Sequence, residues 1–139
     1  MMRKILIAVG VITIAVGTVW AAHAWNTLRV NARTAQFNAD VEDLFTALQK
    51  YKEKVGTYPT GGNLEVSKAL QGANNKNVII IVGSSKKNSL NDKGEIVDPW
   101  GTPLRIYFSD NGVLIRSAGP NRRFDDSTVI DADDFIRSN

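Results

Sequence analysis

The sequence predicts an α+β fold in which a long amino-terminal helix, an apolar segment followed by an amphipathic half, packs on a small antiparallel sheet. Three observations carry that prediction. Residues 5 to 28 contain no Asp, Glu, Lys or Arg. From Phe37 to Val55 apolar residues recur at helical spacing. Two alternating runs, residues 104–108 and 113–117, flank Ser109-Asp110-Asn111-Gly112. With 139 residues, the chain has room for one domain of ordinary size besides the apolar segment.

The first element follows a basic start, Arg3-Lys4. Residues 5–22 are apolar but for Gly10, Thr13, Gly17 and Thr18, and as a helix rising about 1.5 Å per residue they span roughly the hydrocarbon core of a bilayer. Their β-branched content would suit a strand in water, yet a lone strand cannot satisfy its amides in lipid, so helix is expected. Arg3 and Lys4 would hold the amino end in the cytoplasm, with Trp20 and Trp25 near the far interface. This divides the chain into residues 1–25, a cytoplasmic basic start and transmembrane helix, and residues 26–139, an extracytoplasmic domain. The expected location is the inner membrane, single-pass, with the carboxyl-terminal domain periplasmic. A cleaved signal peptide competes, because Ala22-His23-Ala24 has the small-x-small form of a peptidase site. The length of the apolar run and its continuation into a second helical pattern favour an anchor over residues 5–24.

In the amphipathic half, Phe37, Val41, Leu44, Leu48, Tyr51 and Val55 step by four and three residues, with Phe45 widening the stripe. Gly56 stops the helix and Tyr58-Pro59-Thr60-Gly61-Gly62 turns the chain. The stripe could build a coiled coil, but the strands downstream need a cover, so Leu44 and Leu48 are expected against the chain's own sheet. Residues 64–70 read as a short helix capped by Asn63 and ended by Gly72. Residues 78–82 are a continuous apolar strand candidate, and the Lys-rich loop behind them, with Lys86, Lys87 and Lys93, reads as solvated surface. Asn111-Gly112 between the alternating runs predicts a tight hairpin, since both residues tolerate positive φ.

Composition excludes several chemistries. There is no cysteine and one histidine, His23, which removes disulfides, Cys/His zinc sites, thiol nucleophiles and most histidine-based triads. Setting aside Arg3 and Lys4 leaves 15 of the 17 Lys and Arg against 14 Asp and Glu, a net charge of +1. That balance gives no broad electrostatic footprint for nucleic acid.

Several fragments, in order, resemble the major pseudopilin of bacterial type II secretion systems and, more loosely, the type IV pilin-like superfamily. They are Leu48-Gln49-Lys50-Tyr51-Lys52, Gly56-Thr57-Tyr58-Pro59-Thr60, Asp98-Pro99-Trp100-Gly101-Thr102-Pro103-Leu104, Ser117-Ala118-Gly119-Pro120-Asn121 and Asp133-Asp134-Phe135. The chain differs from that family in having no Gly-Phe processing junction near its start and no Glu before Glu42. The resemblance implies a pilin-like fold and a structural subunit or accessory protein of a type II secretion or pilus-like assembly that supports protein export. Its expected partners are other pilin-like subunits, secretion-system inner-membrane proteins and the lipid bilayer, with no small-molecule substrate. The alternative is a tethered or secreted pilin-like binding module that does not assemble. An enzyme is not expected: the carboxylates of residues 125–134 sit in one local loop, with few residues to wall a cleft.

That acidic loop is also the candidate metal site. Asp125, Asp126, Asp131, Asp133 and Asp134 fall within ten residues, and repel one another unless solvated or bridged by a cation. The spacing is not an EF-hand, because Ile130 and Ile136 stand where Gly and Glu are required. The resemblance implies calcium, with Asn121, Asp133 and Asp134 as side-chain ligands. Asp131 joins them because alternating residues of a turning loop can point inward together. Asp125 and Asp126 are left out as part of an insertion.

Overall fold

The computed structural model describes residues 2–80, 89–110, 112–125 and 133–139, the side chains of 2–17 and 19 excepted. Its elements are α1 (Met2–Val55), α2 (Asn63–Leu70), β1 (Arg105–Ser109), β2 (Gly112–Ser117) and β3 (Phe135–Ser138). The chain is therefore α+β, with one long helix and a small antiparallel sheet. Packing divides it into two units, Met1–Thr34 and Ala35–Asn139.

The first unit is the leading part of α1. Its described side chains are exposed except for the half-buried Val30 and Thr34, and Trp20, Trp25 and Leu28 stand 76, 65 and 64 % exposed. Thr27 and Thr34 turn their hydroxyls back to the carbonyls of His23 and Val30, four residues earlier, which lets threonine sit inside a helix. Among the described residues no helix is long and apolar enough to cross a membrane. This corrects the expectation of a single-pass inner-membrane protein. The physical reason lies in the described part of α1, which beyond Trp20 takes on His23, Asn26, Arg29, Asn31 and Arg33, too polar for a hydrocarbon environment. Most of the expected anchor, residues 5–17 and 19, lies outside the described side chains.

The second unit holds the core. Phe37, Val41, Leu44, Leu48 and Tyr51 are all buried, joined by Phe45 and Ala47, while Glu42, Gln49, Lys50 and Glu53 face solvent. Leu48 is fully buried and shares one apolar cluster with Ile106, Val113 and Ile115 of the sheet, so the stripe serves the chain's own fold. Gly56, at φ +104°, ends α1 with its N–H on the carbonyl of Lys52.

At α2 the expected cap is replaced by another device. Gly62 is the N-cap, and the Glu65 carboxylate accepts its N–H at 3.0 Å. Asn63 turns its amide away from the helix. Its Nδ2 donates to the carbonyls of Ile96 and Leu104, both at 2.7 Å, and its Oδ1 accepts the N–H of Ile96 at 2.6 Å. Beyond Gly72, residues 78–80 form no strand: Ile80 enters the core with its N–H on the Leu70 carbonyl, while Ile79 is exposed. The rest of that strand candidate, residues 81 and 82, and the lysines 86 and 87 lie outside the described residues. Lys93 is exposed in a turn that Asn91 organises by accepting the N–H groups of Lys93 and Glu95.

The sheet runs β1-β2-β3, antiparallel throughout. The hairpin forms, but Gly112, expected as a turn residue, is instead the first residue of β2 and pairs with Ser109; Asn111 lies outside the described residues. Gly112 is needed for a reason other than positive φ: a Cβ there would press on the Asn139 carbonyl. The four-residue β3 was not foreseen. It is secured by Phe135, whose ring stacks on Trp100 (centroids 5.4 Å apart, planes 6° apart) and meets Phe37 of α1 at 5.5 Å.

Trp100 is delivered by the corner Asp98-Pro99-Trp100-Gly101. The buried Asp98 carboxylate accepts the N–H groups of Trp100 (3.0 Å) and Thr102 (2.8 Å) on one oxygen and the Ser117 hydroxyl (2.6 Å) on the other. Gly101, at φ +89°, then closes the turn with its N–H on the Asp98 carbonyl. A charge this deep is tolerable because its lone pairs are answered by donors from the chain.

Candidate metal centre

The sheet and the corner together set the acidic loop. β2 ends at Ser117, and Gly119-Pro120-Asn121-Arg122 makes a turn closed by the Arg122 N–H on the Gly119 carbonyl. Pro120 fixes the second turn position, and Gly119 (φ +64°) and Arg122 (φ +60°) take up left-handed geometry. Gly119 lies directly against the backbone carbonyl of Asp133, so close that any Cβ at 119 would collide with it. On the other side, Phe135 is held in its aromatic stack, which fixes the chain just after Asp134.

Three carboxylates converge there. Asp125, Asp133 and Asp134 each offer an oxygen, all within 4.8 Å of one another. One oxygen of Asp133, Oδ2, accepts the Asn121 backbone N–H at 3.0 Å, while its Oδ1 is buried and has no hydrogen-bond partner among the described residues. The Asp134 side chain is 4 % exposed; its Oδ2 pairs with Arg116 Nε at 2.5 Å, and its Oδ1 accepts the Asp125 N–H at 3.3 Å. Arg116 also donates from Nη2 to the Asp125 carbonyl, and its guanidinium faces the Phe124 ring at 5.6 Å.

The charges are informative. Among the described residues, the Arg116 guanidinium pairs with the Asp134 carboxylate, which leaves the two negative charges of Asp125 and Asp133, the amount that one divalent cation cancels. A buried carboxylate oxygen without a donor is costly, and hard oxygen atoms at this separation suit calcium. The donor set therefore fits the cation that the sequence suggested. Asp125, Asp133 and Asp134 would hold it, and it would supply charge neutralisation and cross-linking of the loop rather than reactivity.

Of the residues expected as ligands, the structure brings Asp133 and Asp134 together. Asp131 lies outside the described residues. Asn121 sits beside the cluster as a donor: its Oδ1 accepts the Arg123 N–H at 2.6 Å, and its Nδ2 faces Asp125 Oδ2 at 3.1 Å. Asp125, set aside on sequence grounds, belongs to the cluster. The available signal was Phe124, whose ring lies under Arg105 at 3.9 Å and also near Arg116, an aromatic anchor able to return the following residue to the sheet. No family model matches the chain, and no curated protein or solved structure matches it either.

Proposed function

We propose that this chain is a non-enzymatic, pilin-like subunit or accessory protein of a type II secretion or pilus-like assembly supporting protein export, whose work is helix packing and whose partners are other pilin-like subunits. The observation that supports it is the convergence of the resembling fragments. The amphipathic half of α1 meets the small sheet in one core, the Asp98-Pro99-Trp100-Gly101 corner reaches β3, and the Gly119-Pro120 turn meets Asp133. Exposed apolar side chains on the leading part of α1, Trp20, Trp25 and Leu28, are what a helix intended for packing would carry. Calcium belongs to the same reading, as the ion that ties the acidic loop to the end of the sheet.

Because the chain has no cysteine, single-cysteine cross-linking tests assembly with no background. Trp25→Cys and Leu28→Cys variants, produced together with candidate pilin-like subunits that also carry one cysteine in the leading helix, are expected to form specific disulfide-linked pairs and ladders. Chains that stay monomeric at both positions, with or without those subunits, would overturn assembly and leave a pilin-like binding module. Calcium is checked separately, by whether the melting temperature rises between chelator and millimolar calcium.

A further inference from the structure

We propose that Asp98, which is remote from the acidic cluster in sequence and touches none of its carboxylates, is the positioning residue of the cation site. The inference rests on the cation reading of Asp125, Asp133 and Asp134 and assigns that site its support. Two connections leave the corner and arrive on either side of the cluster. In the first, Asp98 Oδ2 accepts the Ser117 hydroxyl at 2.6 Å, and the same Ser117 oxygen accepts the Gly119 N–H at 3.1 Å. Gly119 then abuts the Asp133 carbonyl, and two residues on Asn121 donates its N–H to Asp133 Oδ2. In the second, Trp100, whose N–H is held by Asp98 Oδ1, stacks on Phe135 next to Asp134.

The chemistry of the first connection gives it direction. Ser117 has one hydroxyl proton, and a carboxylate that demands it leaves the serine oxygen as a pure acceptor for Gly119. Asp98 and Ser117 are 4 % and 0 % exposed, so no water competes and each bond is strong in its low-dielectric surroundings. The turn is thereby pinned at the residue whose backbone contacts Asp133. That pins the Asp133 carboxylate with one oxygen engaged and Oδ1 presented without a donor. Groups that orient metal ligands from behind commonly change affinity by about ten- to a hundredfold when removed.

The test is calcium titration of the 139-residue chain by calorimetry, with each variant held below its own unfolding transition as seen by circular dichroism. Ser117→Ala is expected to weaken calcium binding about tenfold or more. Asp98→Asn, which keeps the shape and the acceptor for Trp100 and Thr102 but presents a donor to Ser117, is expected to weaken it in the same direction. Val66→Ala, a cavity in the buried side of α2, is expected to lower the melting temperature while leaving calcium affinity at the wild-type value. If Ser117→Ala does not fold, Asp98→Asn decides the matter. Wild-type affinity in Asp98→Asn and in any folded Ser117→Ala, alongside loss in Asp133→Asn, would overturn the positioning role and leave the cation site standing. Equal weakening in Val66→Ala would overturn it too, since any loss of stability would then suffice. A wild-type chain that gives no calcium heat and does not compete with a calcium chelator would remove both the site and its support.

Discussion

The molecule places aspartates in two contrasting settings at the same end of its sheet. Asp98 stands alone, and the N–H groups of Trp100 and Thr102 and the hydroxyl of Ser117 all point at it. Asp125, Asp133 and Asp134 stand together; Arg116 pairs with the carboxylate of Asp134 alone, and among the described residues one buried oxygen, Asp133 Oδ1, is left unanswered. The first arrangement is finished by the chain itself, so it reads as architecture. In the second, negative charge exceeds what the donors among the described residues satisfy, and that excess is what supports the proposed cation. A carboxylate's role follows from the ratio of lone pairs to donors around it more than from its burial.

Removing the finished carboxylate is expected to have the largest effect. Asp98→Ala leaves a hydroxyl and two N–H groups short of an acceptor in a buried corner, at ~1–3 kcal/mol for each group left unsatisfied. A total loss of about 3–5 kcal/mol is expected in denaturant melts in chelator, and a larger loss in calcium, because a variant that binds calcium more weakly also forfeits part of the stability the ion adds. A loss under about 1 kcal/mol would mean that water reaches the corner and would erase the contrast.

The cluster should respond to the medium instead. If calcium binds only the folded chain, stability rises by about 2.7 kcal/mol at a hundredfold excess over Kd, and Asp133→Asn should cancel most of that rise. Thermal melts in chelator, calcium and magnesium measure it; a midpoint unchanged in both metals would make the cluster a solvated acidic surface. The smallest expected effect is at the contact between the two settings. Gly119→Ala puts a methyl against the Asp133 carbonyl at a residue with positive φ, and should destabilise by about 1–3 kcal/mol. It should also lower calcium affinity, so melts of this variant with and without calcium should lie closer together than those of the wild type.

What could be read from the sequence was whatever depends on local pattern. The 4-3 stripe of α1 became the buried face, because only one arrangement puts Phe37, Val41, Leu44, Leu48 and Tyr51 in a single core. The corner at Asp98-Pro99 is local in the same way, since the sterics of proline and the reach of a short carboxylate set it. Readings failed where long-range contacts decide. Asn63 has the propensity of a cap, but distant carbonyls competed for its amide and won. Residues 78–80 look like a strand, yet Asn74 takes up local polar groups by accepting the Val78 N–H and donating to the Val78 carbonyl, and the segment joins no sheet. β3 is too short for alternation to register, and its place depends on a stack with residues 35 and 98 positions away in the chain. Asp125 reads as part of an insertion because the one local signal, Phe124, acts only through its distant contacts with Arg105 and Arg116.

The amide of Asn63 also bears on the order in which the chain assembles. Its bonds to Ile96 and Leu104 close loops of 33 and 41 residues, so they contribute nothing until the segment carrying both carbonyls has taken shape. One side chain then imitates a peptide group, giving two N–H bonds and taking one, and joins the start of α2 to a ribbon it could not otherwise pair with. Such a bond rewards the completed arrangement and no earlier one, so its strength is felt as resistance to unfolding rather than as speed of folding. Asn63 is in that sense a latch, closing on a domain whose other parts have already met.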